Sequence, residues 1–147
     1  SEALIMTKAQ IIKYVGDEAI IIWPQNTAFR DDNCYRCFHL AKQSISRKSA
    51  YYLKRYGRVP DFKAGLHYGP VVFGEVGVLL KEISCLGDVL NTAARITSEC
   101  REKKEAFLIS HDAASRLSVF PTLVSVGDVR LRGKEKAIAL YGAPAKL

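Results

Sequence analysis

The sequence predicts an α+β domain, a mixed or antiparallel sheet with helices packed against it. Three observations predict this. Strand and helix patterns alternate along the chain. Several neighbouring strand patterns are separated by tight turns, which favours antiparallel pairing. The 147 residues are 48% apolar and 25% charged, a globular composition sufficient for one domain with its own core. No repeat or low-complexity tract divides the chain, so 1–147 reads as a single domain. Apolar runs such as Ala19–Trp23 are too short to cross a bilayer, and the opening residues do not read as a secretory signal. Four cysteines do not make a disulfide scaffold and point to a reduced, cytoplasmic setting.

The elements follow in order. Gln10–Val15 and Glu18–Trp23 read as two strands around a tight Gly16-Asp17 turn, with Pro24 ending the second. A helix is expected over Asp32–Tyr56. Its apolar positions Cys34, Phe38, Ala41, Ile45 and Tyr52 are spaced four, three, four and seven apart, on one face. Asp31 or Asp32 can cap its start and Gly57 can end it. Phe62–Tyr68 alternates as a strand. Val71–Val76 and Leu80–Leu86 read as a hairpin pair. A helix over Asp88–Glu102 follows, then a short strand Phe107–Ser110. A short helix is expected over His111–Leu117, capped by Ser110. Thr122–Arg132 and Ala137–Tyr141 close the chain as a hairpin.

The charge balance is +7, which favours an anionic partner: nucleotide, nucleic acid or acidic membrane. There is no run of five basic residues and no aromatic-interleaved basic repeat, so a nucleic-acid groove is not expected. A plain basic surface accounts for the charge equally well.

Chemistry concentrates in two places. In Gly87-Asp88-Val89-Leu90-Asn91-Thr92-Ala93-Ala94-Arg95, the residues Val89, Ala93, Ile96 and Cys100 form the expected apolar stripe. Asn91 and Arg95 are four apart on the other side and share a face. An amide beside a guanidinium suits a sugar and a phosphate. Periodicity alone favours the plainer reading of the pair, a solvated helix face. In Lys13-Tyr14-Val15-Gly16-Asp17, a carboxylate at a hairpin tip is placed to hold a hard cation. A plain turn aspartate and an exposed strand lysine are the simpler alternative.

Four segments occur in a telling order: Lys13-Tyr14-Val15-Gly16-Asp17-Glu18-Ala19; Gly65-Leu66-His67-Tyr68-Gly69-Pro70 running on to Gly77; Gly87 to Arg95; and Leu131-Arg132-Gly133-Lys134 with Tyr141. Together they resemble the catalytic domain of the class III adenylyl/guanylyl cyclases over nearly the whole chain. The resemblance implies a ferredoxin-like sheet with helices packed on it. It also implies conversion of ATP, or less readily GTP, to the 3′,5′-cyclic nucleotide and pyrophosphate.

By that resemblance Asp17 is a metal ligand for Mg²⁺ or Mn²⁺, two per site in the complete enzyme. Lys13 and Ser84 contact the purine. Lys13 favours adenine, and Ser84, where the family often has Asp or Thr, weakens the choice. Asn91 orients the ribose, Arg95 stabilises the transition state, and Arg132 meets the terminal phosphates. The family forms shared active sites from two subunits, and both half-sites are in this sequence, which implies a homodimer. Nucleic acid is not an expected partner, and membrane attachment is expected only through domains outside this chain.

The resemblance departs at the start. The family's first metal-binding aspartate lies on an opening strand well upstream of the second. Here sixteen residues precede Asp17, and Glu2 is the one acid among them. The expectation is therefore a fragment without that strand and the two helices after it, inactive by itself. The rival reading is a catalytically inert homologue acting as a nucleotide-binding or regulatory dimer subunit. Val15-Gly16-Asp17-Glu18 also resembles the diguanylate cyclase signature, but that family has no place for the Asn91–Arg95 helix. Cys34-Tyr35-Arg36-Cys37 reads as core packing rather than zinc, Cys85 and Cys100 as buried, and His67 and His111 as structural.

Overall fold

The computed structural model describes residues 2–76, 82–131 and 136–144, with the backbone alone for 72–76 and 82–86. It opens with a short helix, α1 (Glu2–Met6), to which the sequence pattern assigned nothing. Strands β1 (Gln10–Val15) and β2 (Glu18–Ile22) pair antiparallel from Gln10↔Ile22 to Val15↔Glu18. Gly16 takes φ +62° at the first turn position, which suits a type II′ hairpin loop. The ribbon forms a two-stranded sheet of its own. The Trp23 indole N–H donates to the Thr7 carbonyl at 3.0 Å and ties its base to the first segment.

Pro24 leads into α2 (Gln25–Ala28) and a 3₁₀ turn at Arg30–Asp32. The expected long helix is two: α3 (Asn33–Arg47) and α4 (Ser49–Tyr56). The break falls at Lys48 (φ −102°, ψ 13°), just past Ile45, where the apolar stripe of α3 runs out. α3 buries Cys34, Tyr35, Cys37 and His39, whereas α4 buries nothing. Gly57, at φ +72°, ends α4 as expected, its N–H bonding the Leu53 carbonyl.

The expected cap at Asp32 does not form. Asp32 sits at φ +53°, and its side chain makes no capping bond. Its carboxylate instead accepts from the backbone N–H of Ser118 at 2.8 Å and from the Ser118 hydroxyl, 86 residues away. A buried carboxylate needs such donors, and here the tertiary fold supplies them.

The remaining elements are β3 (Ala64–Leu66), β4 (Val72–Val76), β5 (Glu82–Leu86), α5 (Asp88–Glu99), β6 (Phe107–Ser110), α6 (His111–Ala114), a 3₁₀ turn at Phe120–Thr122, β7 (Val124–Arg130) and β8 (Ala137–Gly142). Ser110 caps α6, accepting from the Ala113 N–H. The principal sheet runs β3-β6-β8-β7, with β3 and β6 parallel and the other neighbours antiparallel. β4 and β5 pair by themselves, Val72↔Leu86 to Val76↔Glu82. The mixed sheet and the α+β class are as predicted.

β6 is buried throughout and its alternation sorts the helices. Phe107 and Ile109 face Cys34 and Tyr35 of α3 and Ala113 and Ala114 of α6. The Phe38 ring stacks on Phe107 at 4.4 Å. Leu108 faces the other way, with Ile96 and Cys100, Val129, Leu131 and Leu140. α3 and α5 therefore cover opposite faces of the sheet. α5 can approach because residue 65 is glycine: a Cβ there would lie 2.6 Å from the Thr97 nitrogen and 2.8 Å from the Ala93 carbonyl oxygen. No helix among the described residues is long and apolar enough to cross a membrane.

Candidate active site

Two elements carry the predicted residues that the structure describes in full. The first is α5. Its inner side buries Thr92 and Ile96, with Cys100 just beyond its end. Val89 and Ala93, expected on this stripe, are only half-buried, and Thr92 takes the central place. With these turned inward, Asn91, Ala94, Arg95 and Ser98 face solvent. The 100° step per residue brings Asn91 and Arg95 one turn apart on that face.

Arg95 is not idle there. Its Nη2 lies 3.3 Å from Glu99 Oε1, the next turn along, with the Arg95 side chain 54% exposed and Glu99 12%. Sequence reading missed Glu99, although its place four residues after Arg95 was a usable signal. With Arg95 half exposed and Glu99 largely covered, this i,i+4 helix pair contributes about 0.3–0.5 kcal/mol. It orients the guanidinium without locking it, so a phosphate can displace the carboxylate.

The second is the β1–β2 ribbon. Lys13, opposite Ile20, and Asp17, at the tip, are both exposed. Among the described residues the ribbon makes no extended packing contact with α5. Lys13 and Asp17 thus lie on the β1–β2 ribbon and Asn91 and Arg95 on α5, two elements without extended packing between them. Ser84 lies on β5 opposite Gly74, and its side chain is outside the described residues. Arg132 also lies outside the described residues, as does the side chain of Cys85.

The donor set does not complete a metal centre. Among the described residues no three His, Cys, Asp or Glu side chains cluster closely enough to hold an ion. Asp17 presents one hard carboxylate, suited to Mg²⁺ or Mn²⁺ chemistry but short of a two-metal site.

The other sequence candidates are structural. Cys34, Cys37 and Cys100 are buried. Burial pushes the Cys34 thiol up to about 12 and raises Cys37 and Cys100 as well, so these are protonated core residues. His67 Nδ1 lies 2.7 Å from the Ser110 hydroxyl, linking the end of β3 to the cap of α6. His111 Nδ1 lies 3.3 Å from the Tyr141 hydroxyl.

Comparison with known proteins gives the family of the chain. The family model described as the adenylate and guanylate cyclase catalytic domain matches residues 3–141. The chain belongs to that family. It is 36% identical over 134 residues to adenylate cyclase 2 of Rhizobium meliloti (strain 1021), covering 90% of this chain and 37% of that protein. In fold it is similar to a bacterial light-regulated adenylyl cyclase, with TM-score 0.79 and 17% identity over 98% of this chain and 40% of the other. It is also similar to the guanylyl cyclase Cya2, with TM-score 0.72 and 16% identity over 96% of this chain and 72% of the other. The chain spans well under half the length of the adenylate cyclase it matches.

Proposed function

We propose that the protein carrying this chain is a nucleotidyl cyclase that converts ATP, or less readily GTP, to the 3′,5′-cyclic nucleotide and pyrophosphate. The observation that carries the reading is the exposed Asn91–Arg95 pair on α5, in a domain whose Lys13 and Asp17 project on a separate ribbon. In a homodimer Asn91 and Arg95 of one protomer would face Lys13 and Asp17 of the other, giving two equivalent sites. The exposed Tyr14 and Val15 side chains on the ribbon, 69% and 51% accessible, are apolar surface such an association would cover.

The residues divide the work by their chemistry. Asn91 can both donate to and accept from a ribose, and so fix its orientation. The 3′-oxygen attacks the α-phosphorus, the bond to the bridging oxygen breaks, pyrophosphate leaves, and the hydroxyl proton passes to solvent. Charge builds on the α-phosphoryl oxygens, and Arg95 is the fixed cation placed to meet it. Lys13 would select the purine, with Ser84 beside it, and Arg132 would hold the terminal phosphates. Asp17 would offer one carboxylate to Mg²⁺ or Mn²⁺.

Among the described residues Asp17 belongs to no cluster of three potential metal ligands, and the rival reading is an inert subunit that binds nucleotide without turnover. One experiment separates the two. The protein is incubated with ATP and with GTP under Mg²⁺ and under Mn²⁺, and products are resolved chromatographically. A cyclic product supports the cyclase reading. Nucleotide binding with no cyclic product supports the inert subunit.

A further inference from the structure

The distribution of charge on the chain is uneven. Residues 33–60 hold seven Lys and Arg and no Asp or Glu, and this stretch alone accounts for the net charge of +7. Elsewhere the other fifteen basic residues match the fifteen acidic ones. Lys42 is paired with Asp61, and Arg47 lies 3.7 Å from Glu2. Lys48, Lys54, Arg55 and Arg58 remain exposed on and beside α4.

The same short helix carries a large unburied apolar surface. Tyr51 is 56%, Leu53 54% and Tyr56 62% exposed, and Val59 follows at 37%. The rings of Tyr51, Tyr52 and Tyr56 form one cluster, with centroids 5.6, 6.5 and 6.4 Å apart. The Arg55 guanidinium lies 5.9 Å from the centre of the Tyr56 ring. An eight-residue helix that buries nothing gains little from its own backbone. Packing against a surface outside the domain is what would stabilise it.

We propose that α4 and residues 57–60 form a docking surface for an anionic phospholipid bilayer. Tyr56, Arg58, Val59 and Pro60 line an open hollow of about 450 Å³ whose one acid, Asp61, is already paired with Lys42, so the free charge around it is basic. Tyrosine rings with basic neighbours favour the headgroup level, and Leu53 and Val59 supply aliphatic groups for the acyl boundary. A single-stranded nucleic acid asks for open ring faces on which bases can stack, whereas these rings are engaged with one another. α4 continues from α3, which packs on the sheet face opposite α5. The proposal is independent of the cyclase reading.

The test is co-sedimentation of the purified full chain with vesicles of phosphatidylcholine alone, or of phosphatidylcholine with about 30% phosphatidylserine. Binding is expected to the anionic vesicles only, and to fall away at high salt. Each basic residue at an anionic leaflet contributes about fivefold in partitioning, so Lys54→Gln with Arg55→Gln should lower it about 25-fold. Leu53→Ser should lower it about tenfold. Arg101→Gln with Lys104→Gln, two exposed charges beyond α5, should leave it unchanged. Unchanged circular dichroism establishes that the variants are folded. Equal partitioning to both vesicle types, or equal loss from the Arg101 and Lys104 pair, overturns the proposal. So does binding of a single-stranded oligonucleotide, sensitive to the α4 changes, in the absence of vesicle binding.

Discussion

Replacing Gly65 with alanine probes the contact that positions α5. The added Cβ would lie 2.6 Å from both the Thr97 nitrogen and its hydroxyl, and 2.8 Å from the Ala93 carbonyl oxygen. Two of these three atoms are helix backbone, so no rotamer change relieves them. Restoring ordinary contact, which begins near 3.4 Å, requires α5 to retreat by about 0.8 Å. Overpacking of this kind costs about 1–3 kcal/mol. For a domain of this size each kcal/mol moves the midpoint about 2–4 °C, so Tm should fall by about 2–12 °C. The retreat also carries Asn91 and Arg95 with it. A misplacement of about 1 Å costs on the order of 10² in rate, so turnover in the active protein should fall further than stability alone explains. Thermal unfolding followed by circular dichroism measures the first effect, and cyclic-nucleotide production the second. A Tm unchanged within about 1 °C, below the smallest shift expected, would refute the packing argument. Gly57→Ala is the informative contrast, because its Cβ meets nothing within 4 Å and its cost comes from φ +72° alone.

Other outcomes follow from the same geometry. Arg95→Ala should lower turnover by about 10²–10³, the range for one lost preorganised donor, and an unchanged rate removes Arg95 from the reaction. Asp17→Ala should abolish metal-dependent turnover. Mixing the two inactive variants should restore about a quarter of wild-type activity, since about half the dimers would hold one intact site; no recovery argues against shared sites. His39 is buried among Tyr35, Phe38 and Phe107, and its Nε2 has no hydrogen-bond partner among the described residues. Burial lowers its pKa below the ordinary 6.5. Below that value the unfolded chain binds the proton and the folded one resists it, so stability should fall as pH drops from about 6.5. Urea titrations of wild type and His39→Phe across that window should show a shallower slope in the variant. Asp32→Ala should cost about 1.5–3 kcal/mol by removing the charged acceptor of the two Ser118 bonds, as measured by chemical denaturation.

What the sequence determined by itself is whatever short windows encode. The Gly16-Asp17 ribbon, the Ser110 cap, the Gly57 stop and the four-residue spacing of Asn91 and Arg95 all follow from turn chemistry and helical periodicity. The order of the family's segments was equally legible. Only the tertiary structure decided the rest. It turned Thr92 inward, broke the long helix at Lys48, set β3 parallel to β6, and sent Asp32 across to Ser118 instead of to its own helix. The physical reason is range. A cap or a turn is stabilised by neighbours a few residues away, whereas a buried carboxylate takes its donors from whatever chain segment the topology brings beside it. The candidate site shares this division: each half is written locally, and under the proposed function the two meet when chains associate.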